Sequence, residues 1–286
     1  MGIAELVPGV SGGTIAFVAG IYEEFITTIN NVNLKTLKLW RTDGFKSFWI
    51  ALNGNFLAVL LFGMAISILS FTKLIKWLLE NEPISIWAFF CGLVLASVIV
   101  VAKSIKKWNL PVVLLLALGA IVAYYITSLP PSANTDSLPF IFLSGAIAIC
   151  AMVLPGISGS FILVLMGSYK TVIDAIDEKD FKILITMALG MIFGILSFAR
   201  VLKWMFDNHK NITLALLTGF ILGSLNKIWP WKRILETKTI GKKIIIIDEN
   251  VSPFAFEGEH QLMYAIVAAI IGFSLIFILE KTASKK

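Results

Sequence analysis

Charged side chains are scarce in this chain. They make up 15% of its 286 residues, against about 25% in ordinary soluble domains. Histidine is rarer still: His209 and His260 are the two copies, and both sit at the ends of apolar segments. That placement excludes an imidazole base buried in the middle of a span. The two cysteines, Cys91 and Cys150, lie inside apolar segments, which argues against a disulfide framework, and their spacing offers no metal site. The amino-terminal stretch has neither a basic n-region nor a small-residue cleavage site, so no separate signal peptide is expected. The formal net charge is +6, but the basic residues are scattered through loops between apolar runs. Nucleic acid is therefore not an expected partner; such charges set orientation and meet anionic lipid.

What is present in excess is apolar sequence. Residues of the AVILMFWYC set reach 58%, and the mean hydropathy is +0.88. Many runs approach the roughly 20 residues that cross a bilayer as a helix. The expected class is an all-α polytopic membrane protein. A broken hairpin over 2–29 opens the chain, followed by a basic, partly amphipathic connector over 31–48. Spans follow at 50–79, 84–102 and 110–128. A second broken hairpin covers 138–175, with spans at 181–206 and 211–226, a polar loop at 227–260 and a last span at 261–280. The run Ile244 to Ile247 in that loop is expected to form a short strand or to dip into the interface.

The sequence repeats itself. Val7-Pro-Gly-Val-Ser-Gly-Gly13 matches Leu154-Pro-Gly-Ile-Ser-Gly-Ser160, and Gly20 and Tyr22 match Gly167 and Tyr169, all at an offset of 147. Ile68-Leu-Ser-Phe71 matches Ile195-Leu-Ser-Phe198 at an offset of 127, and Lys73, Lys76, Trp77, Asn81, Gly92 and Ser97 find Arg200, Lys203, Trp204, Asn208, Gly219 and Ser224 in the same register. A colinear series of this kind indicates duplication. The halves are 1–128 and 138–286, and the first carries about twenty extra residues in its connector. Each half holds a hairpin that returns to its own side and three crossings. Three is odd, so the second half is expected upside down. Placing 31–48, 103–109, 200–210 and the carboxy terminus inside collects thirteen Lys and Arg, against four in the short outside loops 73–82, 129–137 and 177–182. The long loop 227–260 adds six outside, where the charge rule is weak. Inverted repeats, N-in and C-in, are the consistent reading, an arrangement that many secondary transporters share.

The breaks carry the chemistry. Pro8 and Pro155 cannot continue a helix, and Gly9 and Gly156 allow backbone angles that other residues avoid. Irregular backbone at membrane depth survives only buried in protein or lining a wet cavity. Ser11 and Ser158 are natural N-caps for the arms that follow, and such helix starts favour anions, phosphate above all. Gly12, Gly13, Gly159 and Ser160 bring their N–H groups to the same place, and the Thr14 and Ser160 hydroxyls can donate to an oxyanion. The bland alternative is two tight turns with small residues for close packing. Lys73, Lys76 and Glu80 fall on one helix face, and Arg200, Lys203 and Asp207 repeat the spacing. They either meet the phosphate or snorkel as ordinary surface pairs. Glu5 stands inside the first arm as a possible proton or ion carrier, with Met152 as its counterpart. The arm before Pro8 has seven residues and the one before Pro155 seventeen: the first arm is short, or the natural start lies upstream. Trp77, Trp87 and Trp204 read as interface anchors.

The stretch Met1 to Tyr22, with Glu5, Val7-Pro-Gly-Val-Ser-Gly-Gly-Thr14 and Gly20-Ile-Tyr22, resembles the signature of the PopT family, and Leu154-Pro-Gly-Ile-Ser-Gly159 with Gly167 is similar to its second motif. The resemblance spans nearly the whole chain. It implies a polyprenyl-phosphate translocase, a flippase returning undecaprenyl phosphate to the cytoplasmic leaflet of the bacterial inner membrane for reuse in cell-wall synthesis. It also implies that the breaks and nearby cations hold the lipid phosphate. No cofactor or metal is implied, and a homo-oligomer is left open. A small-anion transporter or channel would use the same cavity chemistry. An intramembrane serine hydrolase would read Gly9-x-Ser11-Gly12 and Gly156-x-Ser158-Gly159 as nucleophile motifs, but a serine nucleophile needs a base, and neither histidine sits within a span.

Overall fold

The computed structural model describes residues 1–7, 10–130, 137–240 and 243–283. Pro8 and Gly9 of the first break lie outside the described residues. The first hairpin consists of α1 (Gly2–Glu5), α2 (Gly12–Val18) and α3 (Tyr22–Asn30). The connector folds as two short helices, α4 (Leu34–Thr42) and α5 (Gly44–Leu52). Leu34, Leu37, Trp40 and Phe45 stay exposed on them, beside Lys35, Lys38 and Arg41, as expected of helices lying in a membrane interface. α6 (Gly54–Asn81), α7 (Pro83–Lys103) and α8 (Leu110–Ser128) complete the first half. α9 (Leu138–Val153), α10 (Gly159–Leu165) and α11 (Tyr169–Glu178) form the second hairpin, in which α10 and α11 meet at a bend of 105°. α12 (Phe181–Ser224) and α13 (Leu262–Ala283) are the remaining long helices.

Five of these helices are long and apolar enough to cross a membrane, six if the bent pair counts as one span. α12 differs from the two separate segments expected from sequence, because its helix continues through 207–210. At 44 residues and about 1.5 Å per residue, it is roughly twice the length that a ~30 Å apolar layer accommodates. His209 resolves the mismatch: its angles, φ −137° and ψ 46°, kink the helix there. In the first half the matching break falls at Glu82, with φ −131° and ψ 51°, at the same 127-residue offset. Pro83 follows Glu82 and starts α7 without needing an N–H partner. The second copy has Lys210 instead, so the helix kinks without stopping. Asn81 Nδ2 donates to Trp77 O at 2.8 Å and Asn208 Nδ2 to Trp204 O at 2.9 Å, the same local bond before each break.

The long helices pack through glycine. A methyl built on Gly92 of α7 would stand 2.0 Å from Ala269 O of α13, and one on Gly272 would stand 2.0 Å from Phe89 O. On the other side, Gly219 and Gly223 of α12 lie against Leu116 and Ala120 of α8. Lipid tails are as apolar as any side chain, so association rests on such close backbone approach. The packing is crossed: α7 of the first half meets α13 of the second, and the end of α12 meets α8.

Contacts also sort the connections into two ends. At one end, Lys103 Nζ lies 4.9 Å from the Phe277 ring centroid, Lys106 N donates to Asn211 Oδ1 at 3.0 Å, and Lys210 pairs with Glu23. At the other, Thr127 Oγ1 donates to Asn226 Oδ1 at 3.0 Å, and Ile84, Ala88, Trp231 and Ala265 share a small core. The loop after α12 is not all coil. β1 (Lys232–Ile240) pairs antiparallel with β2 (Lys243–Asn250), with a register irregularity between Ile234 and Glu236, so the all-α expectation is amended by one hairpin. Its base is pinned by Trp229 Nε1 donating to Val251 O at 2.8 Å and Trp231 Nε1 to His260 O at 2.9 Å.

The packing account makes a direct prediction. At Gly219 a methyl would sit 2.2 Å from Leu116 O, so Gly219→Val should cost about 1–3 kcal/mol and lower the melting temperature in detergent. A methyl on Gly63 meets nothing within 4 Å, so Gly63→Ala should melt like the native protein. Equal melting of the two variants would sink the account.

Candidate functional site

Each break begins where a helix runs out of partners. α9 stops at Val153 because Leu154 turns extended, at φ −65° and ψ 133°, as the residue before a proline prefers. The carbonyls of its last turn then need donors, and two come from the first hairpin. Tyr22 Oη donates to Val153 O at 3.1 Å, and Ser11 Oγ donates to Leu154 O at 3.2 Å. The two breaks are thus in direct contact although 143 residues separate the bonded serine and leucine. Tyr22 is held there by Phe17, stacked at 3.9 Å, and by Phe206 of α12 at 6.0 Å.

Ser11 is also the N-cap of α2, with extended φ −102° and ψ 133°, and its Oγ accepts from Gly13 N at 3.1 Å. Glu5 reaches back from α1, and its Oε1 accepts from Gly12 N at 2.9 Å. The first arm is therefore capped by the protein's own carboxylate, a role that sequence did not reveal for Glu5. Gly13 sits where a methyl would stand 2.8 Å from Val153 O; the closeness of the other break explains why this copy has glycine where the second has Ser160. Thr14, in the first turn of α2, is fully buried, and its hydroxyl has no hydrogen-bond partner among the described residues. A buried hydroxyl without a partner costs about 1–3 kcal/mol, so its donor is available to a ligand.

The second break is arranged differently. Gly156 has φ +91° and lies against Phe220 O and Ser224 of α12, so both its angle and its surroundings require glycine. Gly159 packs on Ala148 O, where a methyl would stand at 2.8 Å. Ser158 precedes α10 in extended conformation but makes no capping bond. Its Oγ instead lies 3.1 Å from Ser160 Oγ. With Met152 where the first copy has Glu5, no carboxylate fills this end. The first-turn N–H groups of Gly159 and Ser160 are donors without an acceptor among the described residues, and the hydroxyl pair uses one of its two protons internally. Both arms are only seven residues long, so what each end offers is its first-turn donors more than a long helix dipole.

The four cations singled out by periodicity are placed elsewhere. Lys73, Lys76 and Arg200 stand on exposed faces of α6 and α12. Lys76 lies 3.8 Å from Glu80, and Lys203 pairs with Asp207. No hydrogen bond or ion pair joins them to either break among the described residues. The cation that does approach the second arm is Lys227, just past α12, whose Nζ lies 5.4 Å from the ring centroid of Phe161. Sequence reading missed it because it opens a polar loop and matches nothing in the repeat register. Among the described residues neither serine hydroxyl is hydrogen-bonded to a histidine; His209 lies against Trp204, ring centroids 5.4 Å apart.

Comparison with known proteins gives a consistent set. Residues 1–246 match the family described as undecaprenyl phosphate translocase-like. A Vibrio cholerae protein named polyprenyl-phosphate transporter is 43% identical, over 100% of this chain and 94% of its own length. A Staphylococcus aureus protein of the same name is 30% identical, over 80% of this chain and 83% of its own. No solved structure matches the chain.

The contact between the breaks is testable through Ser11, which joins α2 and α9 by one side chain. Ser11→Ala should destabilise the protein by about 1–2 kcal/mol, the worth of a lost cap plus a lost hydrogen bond. Ser160→Ala, which removes an exposed hydroxyl, should leave thermal unfolding in detergent unchanged. The account is wrong if both variants unfold alike.

Proposed function

Because the chain belongs to the undecaprenyl phosphate translocase-like family, we propose that it carries polyprenyl phosphate across the membrane, with the phosphate held between the two breaks while the polyprenyl tail stays in lipid. The observation that carries this reading is the meeting of the two breaks through Ser11 and Leu154, with the Thr14 hydroxyl and the N–H groups of Gly159 and Ser160 unfilled around them among the described residues. The ligand is undecaprenyl phosphate of a bacterial cytoplasmic membrane, and the direction is return to the cytoplasmic leaflet for carrier-lipid recycling. The phosphate takes the second arm first, because Glu5 already fills the first.

The architecture of this reading is a pair of inverted repeats, N-in and C-in. Its support is the equal offset of the Glu82 and His209 breaks, the matched asparagine bonds before them and the crossed packing of α7 on α13 and α12 on α8. A pseudo-twofold axis would relate those pairs, and rocking one half against the other would expose the central site to either leaflet in turn. Lys73, Lys76, Arg200 and Lys203 then act on lipid headgroups at the rims rather than at the centre.

Two measurements test the proposal. In vesicles holding purified protein, the native chain should move lipid phosphate between leaflets, and Ser158→Pro should abolish that movement at normal insertion. Movement of inorganic phosphate instead of the lipid would favour a small-anion transporter. For orientation, Lys106→Cys should be labelled only from the cytoplasmic side and Phe254→Cys only from the outside, in a background with Cys91 and Cys150 replaced by serine. Labelling of both from one side would overturn the topology.

A further inference from the structure

Beyond the α12 end, two lysines and one aspartate gather beside the second break. Lys232 Nζ lies 3.3 Å from Asp248 Oδ2 and donates to Lys227 O at 2.9 Å. Lys227 Nζ lies 3.9 Å from Asp248 Oδ1. The three side chains are 13%, 27% and 19% exposed for Lys232, Lys227 and Asp248 respectively. Two ammonium groups thus share one carboxylate in a half-buried place, leaving one positive charge in excess. Buried charges are costly unless fully paired. Burial draws Lys232 below the usual lysine range, Asp248 opposes that shift and Lys227 adds to it.

Lys227 is the less satisfied member. An ammonium has three donors, and its contacts among the described residues are the loose approach to Asp248 and the face of Phe161. Phe161 directly follows Ser160 in the first turn of α10, so this ammonium stands at the second arm. Lys232 stands over Trp87, its Nζ 5.6 Å from the ring centroid. The cluster has no counterpart in the first half, and it belongs to a loop whose place at the bundle end is fixed by Trp229 and Trp231.

We infer that Lys227 and Lys232 form a docking site for a phosphate monoester at the mouth of the second break, with Asp248 as the carboxylate that the incoming phosphate replaces. The inference rests on the transport reading above and names the station at which the headgroup arrives. On the proposed orientation the mouth faces outside, where a lipid awaiting return would be found. Replacing a monovalent carboxylate by a phosphate monoester of about −1.5 to −2 charge removes most or all of the excess, and the compact ammonium groups suit a phosphate as point charges.

The test uses the full chain in detergent micelles, with the fluorescence of Trp87 as reporter, isolated as the part of the signal lost in Trp87→Phe. A short-chain prenyl phosphate should change that emission, and the matching prenyl alcohol should not. Lys227→Gln should weaken binding by about tenfold or more, as expected for the loss of a charge-assisted contact. Asp248→Asn should tighten binding several-fold while lowering thermal stability, whereas a purely structural ion cluster would weaken both together. Competition by inorganic phosphate at similar concentration identifies the free anion as a ligand of the same site; its absence identifies the lipid headgroup. Unchanged affinity in Lys227→Gln, or weaker binding in Asp248→Asn, overturns the inference while the transport reading stands. If the native chain ignores prenyl phosphate altogether, the transport reading fails first.

Discussion

Backbone that leaves a helix at membrane depth must find new hydrogen-bond partners inside the protein, since lipid offers none. That constraint organises the centre of this molecule. The carbonyls freed at the end of α9 are taken by Tyr22 and Ser11 of the other half, and the N–H groups freed at the start of α2 are taken by Glu5 and Ser11. The first break finds its acceptors within its own hairpin, whereas the second does not find its donors in its own. The second needs the first for its acceptors, and Gly13 is small so that the two can approach. Any motion that opens the space between them must exchange these bonds for others, and a phosphate with several acceptor oxygens is one group able to accept the released donors.

Much of this was legible in the sequence, and the part that was not has a physical cause. Proline and glycine at membrane depth are strong local signals, so the two breaks and their serines stood out. The repeat register held the pair Glu82 and His209, but no local signal marked a kink at His209, which carries no proline and lies in a helix that does not stop. The faces of the long helices were a different matter. In a soluble helix, polar residues mark the outside. Here almost every position is apolar, and lipid-facing and protein-facing sides read alike. The shared face of Lys73 with Lys76, and of Arg200 with Lys203, was a sound helical pattern, yet periodicity could not say whether it pointed to the centre or to the rim. Lys227 escaped for the opposite reason: a single lysine at the head of a polar loop has no pattern at all, and only the folded chain shows it beside Phe161.

The two copies of the motif have also diverged in a way that bears on use. In the first, a carboxylate from the same chain occupies the N–H groups where an anion would sit. In the second, methionine stands at that position and the donors are open. A carboxylate and a phosphate cannot share one pair of N–H groups, because each needs the same donors and the two charges repel at such range. The first arm is therefore closed to an anion for as long as Glu5 remains charged and in place, and the second is available throughout. Lys227 stands beside the second arm, where the Asp248 carboxylate half-matches it, while the Glu5 carboxylate caps the first arm. The two copies of the motif are in this way unlike: the first is capped by a carboxylate of the same chain, and the second, with methionine at the matching position, has no such cap among the described residues.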